Sequence, residues 1–429
     1  MNRQLASAVL FSFHDDDPDR QRESLKRFSS GQWKRALYWL DASGLALYFL
    51  RRAKELELAD VLPAPILHQL EERHGHNLER TASLLREFAR INELFRNAQL
   101  HYANLKGPTL LPDYCADLSS RYQSDLDFLV ARGDTQRCHD LLAGLGYRLM
   151  AATDEVMEFK THSGHLPRIR DLYKAKLQQS VEVHVCDDSR FDLQCARLQR
   201  ARMMEVEGQT CPALAEPDMF LSQSFHLFRH LCSEWTRISW LLEFRHYVVL
   251  HRNDAGLWQE ICRMSADSPE APIAVGLAIA LAEVAFGEFA PDELTNWSSR
   301  RLKPELALWI RQYGRRVLLS QFPGSKLYLI LKQELDDKAY DSHAVRRRLF
   351  PLHMPPEIAA ASATDRRMKV RNRWEQFKYF AFRLRFHIAA GAQYLLEQRR
   401  WRVACNHLLA ATSWTTRSGA LKARNQVGH

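Results

Sequence analysis

The stretch that decides the fold comes in two pieces, Leu105-Lys-Gly-Pro-Thr109 and Arg121-Tyr-Gln-Ser-Asp-Leu-Asp-Phe-Leu-Val130. The second piece places Asp125 and Asp127 two residues apart in an apolar run, which predicts a strand over residues 126–130. Because side chains alternate across a strand, both carboxylates point to one face, roughly 6–7 Å apart. Two carboxylates so close repel each other unless a cation lies between them, so one interpretation of the pair is a divalent metal site. The alternative from the spacing alone is a pair of exposed carboxylates at a strand edge, where they discourage aggregation.

The first piece has the features of a phosphate-binding turn. Gly107 permits a positive φ and lets backbone N–H groups approach a phosphate closely. Lys106 beside it and Arg121 ahead of the strand carry positive charges that neutralise phosphates, Arg by bidentate pairing. Pro108 after the glycine has no N–H and no hydroxyl to offer to a phosphate. The nearest hydroxyl that could take that role is the one of Thr109. Metal ligands and phosphate contacts together indicate nucleotide chemistry.

A second polar strand is predicted further along the chain. Glu182 and His184 alternate with three valines over residues 180–185, so both polar side chains share one strand face. A third acid beside metal ligands completes the coordination or takes the proton from an attacking hydroxyl. His184 has two interpretations, a partner that orients a carboxylate or a hydrogen-bonded structural histidine.

These motifs resemble those of the uncharacterised nucleotidyltransferase family, which belongs to the polymerase-β-like nucleotidyltransferase superfamily. The resemblance rests on Leu105-Lys106-Gly107, on Arg121-x-x-x-Asp125-Leu-Asp127-Phe-Leu-Val and on Val181-Glu182-Val183-His184. It extends more loosely to Gln32-Trp33 and to Trp235-Thr-Arg-Ile-Ser-Trp240-Leu-Leu-Glu243, two helical motifs that are expected to be architectural. The matching motifs fall between residues 30 and 255.

The resemblance implies a reaction and its site residues. A nucleoside monophosphate moves from an NTP to an acceptor, with Mg²⁺ or Mn²⁺ as the cofactor. The residues implied as metal ligands and catalytic acids are Asp125, Asp127 and Glu182, with His184 as a supporting partner. The residues implied as triphosphate contacts are Lys106, Gly107, Thr109 and Arg121. The family suggests a saccharide-related acceptor, while an antibiotic-like small molecule, a protein side chain and an RNA end stay open.

Two alternatives come from other functional classes. The wider superfamily commonly has a serine after the glycine, where this chain has Pro108, and that departure suggests a catalytically inactive nucleotide-binding module. The other alternative is a basic nucleic-acid-associated protein. From Arg346 to the end there are 17 Lys/Arg and 4 Asp/Glu, a balance of +13, whereas the rest of the chain carries −4. Nucleic acid is therefore a partner to test, although it is not the favoured one.

The basic C-terminal segment contains an apolar stripe at three- and four-residue spacing, formed by Trp374, Phe377, Ala381, Leu384 and Ile388. Such spacing predicts a helix with one apolar face. Its functional interpretations are a nucleic-acid footprint or contact with an anionic membrane surface. We favour a structural interpretation, in which this stripe packs on the body and the basic face is solvated.

The periodicities along the chain predict an α+β protein, mostly helical, with an embedded small α/β unit built on a mixed sheet. The resemblance implies that this unit is the nucleotidyltransferase core. We expect a helical region at 1–100, the core at 101–195, a helical domain at 196–335 and a basic helical region at 336–429. The main expected elements are helices over 20–103 and beyond Pro217, a short strand at Asn104 that leads into the turn at Gly107, strands at 126–130, 156–161 and 180–185, and a helix at 134–145.

Composition and cysteine usage restrict the class of protein. The 429 residues are 46% hydrophobic, as in a globular protein. The longest apolar run, 273–282, is too short to span a membrane and predicts a buried helix. Eight cysteines show no C-x-x-C pair and no zinc-type spacing, which is typical of a reducing compartment, so a cytoplasmic location is expected.

Two pairs of histidines in the sequence are further candidates for a functional role. His162 and His165 precede the Glu182 strand in a polar segment, where a solvated loop is favoured over contact with the substrate. His226 and His230 are four residues apart, as in a helical zinc site. No third ligand signature lies nearby, so a packing role is favoured for them.

Overall fold

The computed structural model describes residues 2–14, 16–161, 172–173, 180–186, 193–335, 342–349 and 366–426. Within these ranges the α-helices are α1 Arg3–Phe11, α2 Pro18–Lys26, α3 Ser30–Ser43, α4 Ala46–Glu55, α5 Ala64–Asn97, α6 Thr135–Gly144, α7 Leu193–Gln199, α8 Glu216–Leu231, α9 Ile238–Leu250, α10 Ala255–Met264, α11 Glu270–Phe286, α12 Asp292–Trp297, α13 Pro304–Trp309, α14 Arg315–Leu318, α15 Tyr328–Leu335, α16 Ser342–Leu349 and α17 Arg366–Gln426. The strands are β1 Tyr102–Asn104, β2 Asp125–Ala131, β3 Arg148–Ala152, β4 Val156–Lys160, β5 Ser180–Cys186, β6 Arg202–Val206 and β7 Gln209–Ala213.

The strands form one mixed sheet in the order β3-β4-β5-β2-β1-β7-β6. The central pair, β2 and β5, is parallel, with Asp127 opposite Glu182. β1 runs antiparallel to β2 and parallel to β7, and the outer strands pair in antiparallel fashion. This mixed sheet within a mostly helical chain confirms the predicted α+β class.

One face of the sheet is buried under α5 and α6. The alternate positions of β2 and β5 that point to this face are apolar and fully or almost fully buried, and they pack with α5 residues such as Phe88 and Phe95. Because successive strand residues point to opposite faces, this burial turns the intervening residues of both strands to the other face. That other face carries the polar side chains of the candidate site.

Most of the predicted elements are confirmed. The strands expected at 126–130, 156–161 and 180–185 are β2, β4 and β5, and the helix expected at 134–145 is α6. The apolar run 273–282 lies within the buried helix α11. β3, β6 and β7 were not predicted. All five residues of β3 and three of β6 are exposed, because these strands are the edges of the sheet, so they lack the apolar alternation that marks a half-buried strand.

The chain divides into two compact units. The first unit comprises Met1–Phe228 and Arg237–Arg300, and the second comprises Arg229–Thr236 and Arg301–His429. The whole sheet lies in the first unit, and it continues to Ala213, beyond the end expected for the core at residue 195. The division into four segments stays a prediction. None of the helices in the described ranges is long and apolar enough to cross a membrane.

The predicted apolar stripe of the C-terminal helix is wrong as a packing face. Trp374, Phe377, Leu384 and Ile388 are between 48% and 58% exposed. The residues of α17 that are buried recur instead on a different face, at His387, Ala390, Tyr394, Glu397 and Trp401. The physical reason is that this face finds partners within the second unit: Tyr394 accepts a hydrogen bond from Gln333, and Trp401 donates one to Glu334.

Candidate active site

The candidate site is built on the open face of β2 and β5. Valines 181 and 183 are fully buried on the core side, so Glu182 and His184 project to the opposite side. Asp127 lies directly across the strand pair from Glu182. The structure therefore brings together the acids that the sequence had placed on two separate strands.

A lysine lies between the two aspartates. Lys106 follows β1, and its Nζ is 3.0 Å from Asp127 Oδ1 and 3.7 Å from Asp125 Oδ2. Burial alone would lower the pKa of the Lys106 ammonium, but the two carboxylates raise it above its ordinary value. Lys106 is thus a permanent cation at the position where the sequence analysis required one.

Asp127 is the most enclosed of these acids. Its side chain is fully buried, and neither carboxylate oxygen has a hydrogen bond of standard geometry within the described chain. Burial raises the pKa of this carboxyl, but the positive charge of Lys106 and the imidazole of His184 outweigh burial and lower it to about 2. A buried, ionised carboxylate with unsatisfied oxygens is costly unless a cation binds it.

Asp127, Glu182 and His184 form a group that is able to hold a metal ion. Each offers one ligand atom, and the three atoms lie within 4.8 Å of one another. His184 Nε2 is 3.6 Å from Asp127 and 3.9 Å from Glu182, so the histidine lies beside both acids. Burial and the negative charges of Asp127 and Asp125 raise the pKa of Glu182, which therefore holds a proton more readily than an ordinary glutamate.

The turn at Gly107 has the backbone conformation that the sequence suggested. Its φ is +87°, and a Cβ built there would stand 2.6 Å from Gln123 Nε2. Gln123 donates from that nitrogen to the Asp125 carbonyl at 2.7 Å, which ties the turn to the start of β2. The hydroxyl of Thr109 is buried and donates to the Lys106 carbonyl at 3.3 Å. Both contacts fix the position of Lys106 relative to Asp125.

Arg121 is buried rather than open to solvent. Its Nε donates to Glu243 at 3.2 Å and its Nη1 to Gln123 at 2.6 Å. Glu243 also accepts a hydrogen bond from Tyr48 at 2.8 Å. In this arrangement the guanidinium anchors the segment that leads into β2, and the predicted contact with a triphosphate requires the Arg121–Glu243 pair to open.

Sequence reasoning missed Gln123 and the function of Glu243. Gln123 is two residues from both Arg121 and Asp125, so a signal was present in the Arg-x-Gln-x-Asp spacing. Glu243 belongs to the motif that was expected to be architectural, and the structure supports that view, because its carboxylate neutralises Arg121 behind the site. No local pattern links residues 121 and 243, since their proximity is set by the packing of α9.

The remaining candidates lie elsewhere. His162 and His165 are outside the described residues. His226 packs its ring on Trp240, 4.8 Å between centroids, in line with the favoured packing role. A second group able to hold a metal ion within the described ranges is Asp113, Glu216 and His251. There His251 Nδ1 lies 3.3 Å from Glu216 and His251 Nε2 lies 4.0 Å from Asp113, and we assign this group no role.

A family model described as an uncharacterised nucleotidyltransferase matches residues 29–287, more than half of the chain. No curated protein matches the sequence. Among solved structures, an antigenic nucleotidyltransferase-like protein from Paracoccidioides brasiliensis aligns at 14% identity, over 47% of this chain and 91% of that one, with a TM-score of 0.28. We draw nothing from a likeness at that score. On the family match, this chain belongs to the uncharacterised nucleotidyltransferase family.

Proposed function

We propose that the protein transfers a nucleoside monophosphate from an NTP to an acceptor hydroxyl. The observation that carries the proposal is the buried Asp127 carboxylate, whose oxygens lack hydrogen bonds and lie beside Glu182 and His184. The proposed reaction is attack of the hydroxyl oxygen on the α-phosphorus. The bond from that phosphorus to the bridging oxygen breaks, pyrophosphate leaves, and the hydroxyl proton passes to a base of the protein.

The residues present fit a divalent cation. Carboxylate oxygens are the ligands that Mg²⁺ and Mn²⁺ prefer. The Asp127 oxygens make no hydrogen bond of standard geometry within the described chain, so the ion pair with Lys106 at 3.0 Å is left to offset their desolvated charge. We assign the ligands to Asp127 and Asp125, with His184 as their neighbour. Glu182 either completes this coordination or accepts the proton. When bound, such an ion neutralises the phosphate oxygens and orients the α-phosphate toward the acceptor.

The turn next to the strand supplies the proposed triphosphate contacts. Lys106 neutralises Asp127 and Asp125 in this structure. With those carboxylates holding a metal ion, its ammonium would be available to a phosphate oxygen. For Gly107 we propose a contact from its backbone N–H to a phosphate oxygen, which the positive φ of the turn allows, while the side of its Cα is filled by Gln123. Thr109 holds the turn through its bond to the Lys106 carbonyl. For Arg121 we propose that its charge supports the site from behind, paired with Glu243.

Glu182 is the proposed proton acceptor. Its side chain is 34% exposed, so an acceptor hydroxyl is able to reach it, whereas Asp127 is fully enclosed. The pKa of Glu182 is raised by burial and by the neighbouring aspartates, and a more basic carboxylate takes up a proton more readily. Asp127, with its pKa lowered to about 2, stays ionised throughout.

Incubation of the purified chain with labelled NTPs, Mg²⁺ or Mn²⁺ and a panel of saccharide and other hydroxyl acceptors tests the proposal. We expect labelled product or self-labelling. Asp125→Asn and Asp127→Asn are expected to abolish transfer and metal-dependent NTP binding in calorimetry while leaving the melting temperature within a few degrees. The exposed Asp267→Asn serves as the matched control. Unchanged Mg²⁺–NTP binding in the double Asp125/Asp127 variant contradicts the assignment of the site.

The same experiment separates the alternatives. NTP binding without any product over the whole acceptor panel favours the inactive nucleotide-binding module suggested by Pro108. The identity of the NTP and of the acceptor is read from the labelled product. The cytoplasmic location expected from the cysteine pattern stays a prediction.

A further inference from the structure

An arginine of the motif Trp235–Trp240 has a position that its architectural interpretation leaves unexplained. Arg237 comes just before α9 and is partly exposed. Its guanidinium carbon lies 5.3 Å from the ring centroid of Tyr122 and 5.6 Å from that of Trp240. Within the described chain Arg237 makes no hydrogen bond and no ion pair, so its charge is held only by two aromatic faces.

A second arginine shares the same tyrosine ring. Arg80 on α5 places its guanidinium carbon 4.2 Å from the Tyr122 centroid. Its hydrogen bonds go to neutral oxygens, the Leu172 carbonyl at 2.9 Å and the side-chain amide of Asn77. Arg80 therefore has no carboxylate partner among the described residues either.

Two partly buried guanidinium groups around one ring are electrostatically unfavourable. A cation–π contact contributes about 0.5–2 kcal/mol and does not cancel the charge. The pKa of Arg80 is lowered, mainly by burial. Tyr122 and Tyr173 raise this pKa in part, and the repulsion from Arg237 makes a smaller contribution that lowers it. An oxyanion bound by both guanidinium groups removes this repulsion, and Arg binds phosphate or carboxylate in a bidentate manner.

The pair lies next to the candidate active site. Tyr122 is three residues before Asp125, and three extended residues span at most about 10 Å. The segment between them is fixed, because Gln123 donates to the Asp125 carbonyl and accepts from Arg121. The proposed triphosphate contacts are on a different segment, at Lys106 and Gly107. A group bound at Tyr122 therefore belongs to the other substrate.

We infer that Arg80 and Arg237, arranged around the Tyr122 ring, form a subsite for an anionic group of the acceptor, a phosphate or a carboxylate. This inference rests on the proposed nucleotidyl transfer. It narrows the acceptor to a molecule that carries both a hydroxyl to be modified and an oxyanion. A neutral saccharide lacks that group, whereas a sugar phosphate or a sugar acid carries it.

Calorimetric titration with inorganic phosphate and, separately, with Mg²⁺–ATP tests the subsite. Arg237→Met removes the charge and keeps the aliphatic stem, and Arg237→Lys keeps the charge. Arg263→Met, at a position 76% exposed, is the matched control. We expect phosphate affinity to fall roughly tenfold or more in Arg237→Met, to be partly retained in Arg237→Lys and to be unchanged in the control. Mg²⁺–ATP affinity is expected to stay within about twofold in all three.

Each outcome has a distinct meaning. Unchanged phosphate affinity in Arg237→Met overturns the subsite. An equal loss of phosphate and Mg²⁺–ATP affinity assigns the oxyanion to the nucleotide and overturns the acceptor assignment. Phosphate titration of the Asp125→Asn/Asp127→Asn variant separates this inference from the proposed function: we expect phosphate binding to persist there while Mg²⁺–ATP binding is lost. Absence of Mg²⁺–ATP binding in the unmodified protein contradicts the proposed function, whereas the phosphate titration still tests whether Arg80 and Arg237 bind an oxyanion.

Discussion

At the scale of single residues, the site separates two carboxylates by their environments. Asp127 is enclosed next to Lys106 and stays ionised, whereas the pKa of the more exposed Glu182 is raised. Acids whose environments push their pKa values apart take different roles in catalysis. Asp127 is therefore suited to holding a cation, and Glu182 to exchanging a proton.

Replacement of Glu182 by Gln tests this division of roles. The amide keeps the shape of the side chain but accepts no proton, so we expect kcat to fall by about 10²–10⁴-fold with a smaller change in KM for the NTP. The melting temperature is expected to change little, because Val181 and Val183, rather than Glu182, carry the core packing of β5. Glu158→Gln, on the neighbouring strand opposite Glu182, is the matched control. Full activity of Glu182→Gln would exclude the proton role.

A glycine pair isolates the function of the Gly107 turn from its backbone strain. Gly107 and Gly146 have φ values of +87° and +91°, but only at Gly107 does an added Cβ meet a neighbour, Gln123. Alanine at either position costs about 1–2 kcal/mol of folding free energy for the left-handed backbone. Only Gly107→Ala is expected to weaken Mg²⁺–NTP binding, since it displaces Gln123 from the Asp125 carbonyl. Equal NTP affinities in the two variants contradict a role for the turn.

Strand alternation predicted that Asp125 and Asp127 share one strand face and that Glu182 and His184 share another. That the two strands are neighbours with their polar sides on one sheet face was implied only by the family resemblance. The partners of Arg121 were not predictable. Its charge suggested phosphate, and the sequence holds no local sign that Glu243, 122 residues away, neutralises it. Contacts between distant segments are set by helix packing, and the hydrophobic periodicity of the sequence does not show which segments will meet.

At the scale of elements, α17 shows how periodicity identifies a helix without identifying its buried face. The helix has an aromatic row that includes Trp374 and Phe377, and a second row that includes Tyr394 and Trp401. The second row is buried, although it also contains Glu397. Arg316 donates to that carboxylate at 2.7 Å and so makes its burial acceptable. In the sequence, Glu397 makes this row look like an exposed face, because the arginine that neutralises it is 81 residues away in the chain.

Replacing one tryptophan from each row of α17 tests which row is packed in the second unit. Trp401 is 3% exposed and donates to Glu334, whereas Trp374 is 55% exposed. We expect Trp401→Ala to lower the free energy of unfolding by about 3–5 kcal/mol and Trp374→Ala to change it by about 0.5 kcal/mol or less, both measured by urea denaturation. A larger loss for Trp374→Ala than for Trp401→Ala would restore the stripe predicted from the sequence.

At the scale of the whole molecule, charge and site are separated along the chain. The candidate site lies entirely in the first unit, and the C-terminal residues from 346 on carry the balance of +13. Part of that charge is used in ion pairs within the second unit: Arg383 lies 3.3 Å from Glu234, and Arg400 lies 3.1 Å from Glu397. Net charge alone therefore overstates how basic the available surface is.

Binding of labelled RNA, followed by fluorescence anisotropy at several salt concentrations, decides whether the remaining charge serves nucleic acid. If it does, log affinity falls linearly with log salt, with a slope set by the phosphates contacted. We expect no such steep dependence, because α17 already has a structural role.

Deletion of 346–429 removes the buried Tyr394 and Trp401 and is expected to destabilise the second unit, so it does not separate the effect of charge from the effect of stability. Substitution of the exposed Arg399 and Arg402 by Gln isolates it, since neither side chain is buried. Micromolar RNA binding that is steeply salt-dependent and lost in that double variant, with stability unchanged, would establish the nucleic-acid role.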